Sequence, residues 1–135
     1  MNAEETRSAV GGIWTERADG WWLTAPATSV QDIARTMLKS EARFVAIVGA
    51  PEAARAMRLS WHWDMGGVLL SVVSHLGECV AVPSIVDTYP GADWAERETR
   101  DYYAVAFAGR AETPALMLRD GDAPGVLLCK SGEKL

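Results

Sequence analysis

The clearest hydrophobic pattern in the chain begins at Ser29. Apolar residues there recur at the spacing of a helix that buries one face. Ser29 and Asp32 have the spacing of a capping box, and Lys39 suits the negative carboxyl end of a helix. The sequence therefore predicts an amphipathic helix. Its apolar positions are Val30, Ile33, Ala34, Met37 and Leu38.

A strict alternation of apolar and polar residues follows at positions 58–65, which predicts a strand with one apolar face. Gly66-Gly67 predicts a tight turn after it. Residues 68–74 are apolar on both sides, so we interpret them as the return strand at the centre of a sheet. The apolar face of the first strand consists of Leu59, Trp61, Trp63 and Met65.

Other segments show shorter patterns. Residues 44–48 form a continuous β-branched and aromatic run, which is typical of a strand buried on both faces. An Asp-Gly turn at 19–20 joins strand-like runs at 13–17 and 21–24, and it predicts a hairpin. We expect residues 1–11 to be frayed.

These elements predict an α+β fold with two layers, in which a mainly antiparallel sheet packs against helices. The 135 residues, of which 49% are hydrophobic, suit one domain spanning 1–135 with its own core. We expect the tail from residue 120 to be flexible.

Composition excludes several classes of protein. The formal charge of −5 and the scattered basic residues disfavour a nucleic-acid-binding protein. The sequence contains no run of about 20 apolar residues that could span a membrane, and its first twelve residues do not form a secretory signal. We therefore expect a cytoplasmic protein. Cys79 and Cys129 lie too far apart for an iron–sulfur or zinc framework.

Residues 81–110 carry the most specific pattern. Pro83 and Pro90 bracket a short turn, and Asp93 with Glu96 has the spacing of a capping box. A helix of about three turns should follow. We expect its ion pairs to join Glu96 to Arg100 and Arg97 to Asp101.

One face of that predicted helix mixes carboxylates with apolar residues. Glu98 has no partner on the helix, so we expect it to find a cation or backbone donors elsewhere. The residues that share this face are Trp94, Glu98, Asp101, Tyr102 and Val105.

The segment resembles the signature of the respiratory-chain NADH dehydrogenase 30 kDa (C-type) subunit family of complex I. That family includes the related domain of group 4 membrane-bound hydrogenases and formate hydrogenlyase. The signature consists of Pro-Ser, an Asn-Trp pair or close variant, Glu-Arg-Glu and a following Asp. The matching residues are Pro83, Ser84, Asp93, Trp94, Glu96, Arg97, Glu98 and Asp101.

The resemblance implies a non-catalytic structural subunit that docks on the large quinone-site or hydrogenase subunit, peripheral to the inner membrane. NADH, quinone, iron–sulfur and nickel–iron centres would belong to partner subunits, and the signature residues would stabilise the domain and its docking surface. The chain departs from the family pattern at Ala104, at Arg110-Ala111 and at Lys130-Ser131. If the first of these positions needs a positive φ, Ala104 is strained there.

Two other interpretations remain open. His62, Asp64 and His75 are a candidate metal or acid–base site of a hydrolase, provided that the strand register brings the histidines together. A divergent homo-oligomer that has lost its complex would keep the same fold. The six tryptophans favour an interaction protein, because aromatic residues left on a surface are typical of interfaces.

Overall fold

The computed structural model describes residues 1–52, 56–77, 81–119 and 121–127. Three helices and seven strands occur within these ranges, together with a 3-10 turn at Ala27–Ser29. The helices are α1 (Ala3–Val10), α2 (Val30–Lys39) and α3 (Ala92–Tyr103). The strands are β1 (Trp14–Arg17), β2 (Gly20–Thr24), β3 (Arg43–Pro51), β4 (Met57–Met65), β5 (Val68–Leu76), β6 (Ala81–Pro83) and β7 (Ala106–Ala108).

Five of the strands form one sheet in the order β1-β2-β5-β4-β3. Its neighbouring strands are antiparallel except for β2 and β5, which run parallel. Strands β6 and β7 form a separate parallel pair. The α+β fold with a mainly antiparallel sheet is therefore confirmed.

The β4–β5 hairpin is present as predicted, and β5, which is apolar on both sides, lies at the centre of the sheet. It turns at Gly66-Gly67, and both glycines have positive φ. Trp61 and Trp63 point from β4 into the core and are fully buried. They lie opposite the apolar residues of β5, with Trp61 paired to Val72. This cross-strand packing fixes the register of the hairpin.

Helix α2 also agrees with its prediction and buries four of the five apolar positions. Leu38 is the exception and is exposed. The capping-box prediction is wrong, because the 3-10 turn leads directly into the helix and Asp32 pairs with Arg35 at 2.7 Å.

Strand β3 lies at an edge of the sheet, so the prediction that it is buried on both faces is wrong. Its neighbour is β4, and Val48 on β3 is 51% exposed. A bulge after Phe44 shifts the register of β3. Its continuous apolar run therefore does not reflect burial on both faces.

The amino-terminal residues form helix α1, and the prediction of a frayed segment is wrong. The Asn2 side chain accepts a hydrogen bond from Glu5 N at 2.8 Å and caps the helix. Thr6, within the helix, is buried, and the Arg7 guanidinium lies 3.6 Å from the centre of the Trp21 ring. A helix of eight residues depends on such tertiary contacts more than on its own propensity.

In the described part of the chain, every helix is too short or too polar to cross a bilayer.

Candidate functional site

Helix α3 holds most of the signature residues and packs against β3. The contact is close: a side chain on Gly49 would place its Cβ 2.5 Å from the Tyr103 ring. The helix begins two residues earlier than predicted, because its N-cap is Gly91 and its first residue is Ala92. Ala92 N donates a hydrogen bond to Tyr89 O. Asp93 is therefore inside the first turn, and its predicted role as N-cap is wrong.

Glu96 is the centre of a buried polar cluster. Its Oε1 accepts a hydrogen bond from Ser84 Oγ at 2.6 Å, and its Oε2 accepts one from Ile85 N at 2.8 Å. The side chain is fully buried, so these donors replace the water that a carboxylate requires. Glu96 therefore ties helix α3 to the turn after β6, and the predicted pair with Arg100 is wrong.

Pro83 and Ser84 position that turn. Pro83 ends β6 opposite Ala108 of β7, and Ser84 N donates to Ala108 O at 2.8 Å. The Ser84 carbonyl also accepts a hydrogen bond from Gln31 Nε2 of helix α2. These two signature residues thus join the small β6–β7 pair to two helices.

Arg110 completes the cluster, and sequence reasoning missed it. Its guanidinium contacts Glu96 Oε1 at 3.1 Å and Asp93 Oδ1 at 2.5 Å, and the side chain is 9% exposed. The hydrogen bond from Arg110 lowers the pKa of Asp93. Burial opposes the charge of Arg110, but its bonds to both carboxylates raise its pKa. The sequence did contain one signal for Arg110, which is that the chain departs from the family pattern at this position.

Asp101 forms a second buried site on the other side of helix α3. Its Oδ2 accepts hydrogen bonds from the backbone N–H groups of Leu116, Met117 and Leu118 at 3.0, 2.7 and 3.2 Å. Burial alone would raise the pKa of Asp101. These three donors, with Arg100 at 3.1 Å, outweigh burial and lower that pKa.

The segment held by Asp101 crosses the outside of α3, and we call residues 114–119 and 121–127 the strap. Arg97 Nη2 donates to Ala115 O at 2.8 Å, which fixes the beginning of the strap. The predicted pair of Arg97 with Asp101 is wrong, because Arg97 lies 3.5 Å from Asp93 instead. Asp101 and Arg97 therefore act on the strap and not on each other.

The predicted burial of Glu98 is wrong. Glu98 is exposed on helix α3, and Glu96 and Asp101 are the buried carboxylates. Trp94 is also exposed, with 68% of its surface accessible. Of the eight signature residues, Trp94 and Glu98 are the two that are exposed.

Ala104 ends helix α3 in the left-handed conformation, with φ 57° and ψ 28°. This matches the expectation that the position needs a positive φ. Ala104 N donates to Arg100 O and closes the last turn. An alanine in this region carries backbone strain that glycine would avoid.

The candidate hydrolase residues are not brought together. The register pairs His62 with Ser71 and His75 with Arg58, so the two histidines lie at different levels of the hairpin. Asp64 accepts a hydrogen bond from Gly67 N in the turn. Among the described residues, no three His, Cys, Asp or Glu side chains are grouped to hold a metal ion.

His62 instead belongs to a hydrogen-bonded chain on the sheet face opposite the helices. Its ring nitrogens lie 2.8 Å from Ser60 Oγ and 2.7 Å from Ser71 Oγ, at the floor of a groove of about 690 Å³. Burial lowers the pKa of His62, and the charge of Asp19 opposes this in part. Cys79, Cys129 and the Lys130-Ser131 pair lie outside the described residues.

Sequence comparisons agree with the signature. Residues 23–130 match the family model described as respiratory-chain NADH dehydrogenase, 30 Kd subunit. The chain is similar to the C-type subunit of NADH-quinone oxidoreductase from Rhodopseudomonas palustris strain TIE-1, with 30% identity over 127 residues, covering 81% of this chain and 59% of the relative. It is similar to the corresponding protein of Rhodobacter capsulatus, with 32% identity, covering 50% of this chain and 35% of the relative.

A shorter stretch matches the corresponding protein of Sinorhizobium medicae at 53% identity, covering 27% of this chain and 18% of the relative. The chain thus spans less than two thirds of the length of these relatives. The family model nevertheless covers most of the chain, including helix α3 and the strap. The chain belongs to the 30 kDa subunit family of respiratory-chain NADH dehydrogenase.

Proposed function

We propose that the chain is a non-catalytic structural subunit of an NADH–quinone oxidoreductase and docks on the large subunit that carries the quinone site. The family match and the similarity to subunits of NADH-quinone oxidoreductase support the choice of this complex over a membrane-bound hydrogenase. In this proposal the subunit contributes a rigid surface, and NADH, quinone and iron–sulfur centres are held by partner subunits. The chain would lie on the cytoplasmic side of the membrane through those partners.

The buried charged residues around helix α3 support a structural role. The signature residues Glu96 and Asp101, and Arg110 outside the signature, are each engaged by partners inside the chain. Groups that are committed to internal hydrogen bonds are poorly placed to transfer protons to a substrate. Their arrangement instead stabilises helix α3 between the sheet and the strap.

The observation that carries the docking proposal is the exposure of Trp94. A tryptophan in a small domain normally buries its ring, because its large apolar surface dominates the energy of packing. Trp94 is 68% exposed in the middle of the signature, whereas Trp61 and Trp63 are fully buried. Exposed tryptophans of this kind are typical anchors of protein interfaces.

The test is capture of the tagged protein from its native cells, followed by mass spectrometry of the subunits that accompany it. Recovery of a quinone-site large subunit with iron–sulfur partners supports the proposal. Recovery of a nickel–iron large subunit would assign the chain to a hydrogenase instead, and recovery of the protein alone would favour the homo-oligomer.

A matched pair of variants makes the capture specific to the proposed surface. Trp94→Ala should reduce recovery of the large subunit by about tenfold or more, as expected for an interface anchor. Ile13→Ala removes another exposed apolar side chain, outside the signature segment, and should leave recovery unchanged. Equal recovery with both variants would contradict docking through Trp94.

A further inference from the structure

Helix α3 carries two fully buried carboxylates on different sides. Glu96 and Asp101 are five residues apart, which corresponds to about 140° around a helix of 3.6 residues per turn. Glu96 faces the protein interior and the turn after β6. Asp101 points away from that side, and its partners at 116–118 show that the strap covers it.

The strap is attached to α3 at both ends. Near the beginning of the strap, Asp101 Oδ2 accepts hydrogen bonds from three consecutive amides. Arg97 donates to the carbonyl groups of Pro114 and Ala115. Near the end of the strap, three amides donate to carbonyl groups in the last turn of the helix. These bonds are Gly125 N to Asp101 O at 2.8 Å, Val126 N to Asp101 O at 3.2 Å and Leu127 N to Tyr102 O at 2.8 Å.

These attachments expose apolar side chains next to the outer face of the helix. Met117 is 67% exposed although its amide is bound by Asp101, and its sulfur lies 3.4 Å from the Tyr102 hydroxyl. Val126 and Leu127 are also exposed where their amides meet the helix end. Bonds that hold the backbone of the strap therefore leave these side chains free to meet a partner.

Among the described residues around this surface, the arginines are paired with aspartates and the charges without an ion-pair partner are negative. Glu98 is exposed on the helix and Glu112 is exposed just before the strap, and neither forms an ion pair among the described residues. Arg119 is paired with Asp122 at 3.3 Å. A complementary partner would present an apolar pocket with basic residues at its rim.

We propose that Asp101 and Arg97 are positioning residues, which hold the strap against α3 and so complete a composite docking face with Trp94. The partner in this proposal is the large subunit, and the surface that it presents to the docking face is an apolar pocket with basic residues at its rim. The docking part rests on the proposed function, whereas closure of the strap is a property of this chain alone. The face consists of Trp94, Glu98, Tyr102, Met117, Val126 and Leu127.

Hydrogen exchange on the isolated protein tests the closure. Asp101→Asn replaces a charged acceptor of three amides with a neutral amide, so exchange at Leu116–Leu118 should become about tenfold faster or more. Amides of β4 and β5 should be unchanged. Asp32→Asn, an exposed carboxylate on α2, serves as control. Unchanged exchange at 116–118 in Asp101→Asn would overturn the closure.

Arg97→Ala is a second variant in case Asp101→Asn fails to fold. It removes two bonds to the strap without leaving a carboxylate buried, and exchange should again increase in the strap alone. Strap exchange equal to wild type in this variant would contradict the role of Arg97.

Capture of the large subunit tests the docking face. Asp101→Asn should reduce capture by about tenfold although Trp94 is intact, and Glu98→Lys should reduce it while strap exchange stays at the wild-type rate. Full capture by Asp101→Asn with an open strap would overturn the docking role. If wild type captures no large subunit, the proposed function and the docking role both fail, and the exchange result alone decides the closure.

Discussion

Two glutamates of helix α3, Glu96 and Glu98, lie two positions apart in very different environments. Glu96 is fully buried and bound by Ser84, Ile85 and Arg110, whereas Glu98 is exposed. Removing the Glu96 carboxylate leaves the buried guanidinium of Arg110 with Asp93 as its remaining acidic partner. The same substitution at Glu98 removes no buried contact.

We expect Glu96→Ala to lower the free energy of unfolding by about 3 kcal/mol, the usual cost of breaking a buried ion pair on one side. Glu98→Ala should change it by less than about 0.5 kcal/mol. Urea denaturation of both variants measures the difference. Similar losses in the two variants would contradict the assignment of Glu96 as the internal carboxylate.

At Ala104 we expect a substitution to raise the free energy of unfolding, in contrast to Glu96→Ala. Its left-handed φ of 57° is a conformation that costs alanine about 1 kcal/mol relative to glycine. Ala104→Gly should therefore raise the free energy of unfolding by about that amount, measured by thermal and urea denaturation. Ala95→Gly, within the same helix, should lower it by about 1 kcal/mol. Destabilisation by both substitutions would show that Ala104 is unstrained.

At the scale of elements, the central pair of strands carries a pH-dependent group. His62 lies between Ser60 of β4 and Ser71 of β5, and burial lowers its pKa from the ordinary value of 6.5. Between the lowered pKa of His62 in the folded chain and its ordinary pKa in the unfolded chain, the unfolded chain therefore binds more protons than the folded chain. The contribution of neutral His62 to stability is fully present above about pH 6.5 and is lost as the pH falls through the folded pKa.

We expect the free energy of unfolding of the wild type to decrease between pH 7 and pH 5, as measured by urea denaturation at each pH. His62→Gln keeps hydrogen-bonding groups at the position but does not titrate there, so it should remove most of this decrease. Parallel pH profiles in the two proteins would show that His62 is not the group responsible.

Elements with a regular pattern of their own could be predicted from the sequence. Helix α2 and strand β4 repeat their apolar positions at a fixed period, which identifies the face that each turns to the core. Strand β5 is apolar on both sides, which indicates its central position. The position of β3 could not be predicted, because an apolar run does not say how many neighbouring strands it has. Helix α1 could not be predicted either, because its stability comes from contacts with α2 and Trp21.

The sequence predicted which residues form the candidate site, but it did not predict which residues they pair with. The signature identified the residues of α3, but spacing along a helix suggested partners four positions away. The structure instead pairs Glu96 with Arg110, which follows strand β7, and Asp101 with amides 15 to 17 positions later. Such pairings depend on the path of the chain after the helix, and local periodicity contains no information about that path.

At the scale of the whole molecule, the described chain divides into a core and an outer strap. The buried hydrophobic residues of the described core end at Phe107, and Arg110 then joins the Glu96 cluster. The strap follows and contributes mainly backbone hydrogen bonds to helix α3. We therefore expect folding of the core to be separable from presentation of the docking face.

A chain that ends at Glu112 tests this separation. It keeps Arg110 and every residue of the described core, so we expect circular dichroism to show native secondary structure and a cooperative thermal transition. The truncation removes the three amides that donate to Asp101. It also exposes that carboxylate to water, so no unpaired charge is left buried. The truncated protein should fold but fail to capture the large subunit. Loss of cooperative unfolding would show that the strap is part of the core, whereas full capture would place the docking face elsewhere.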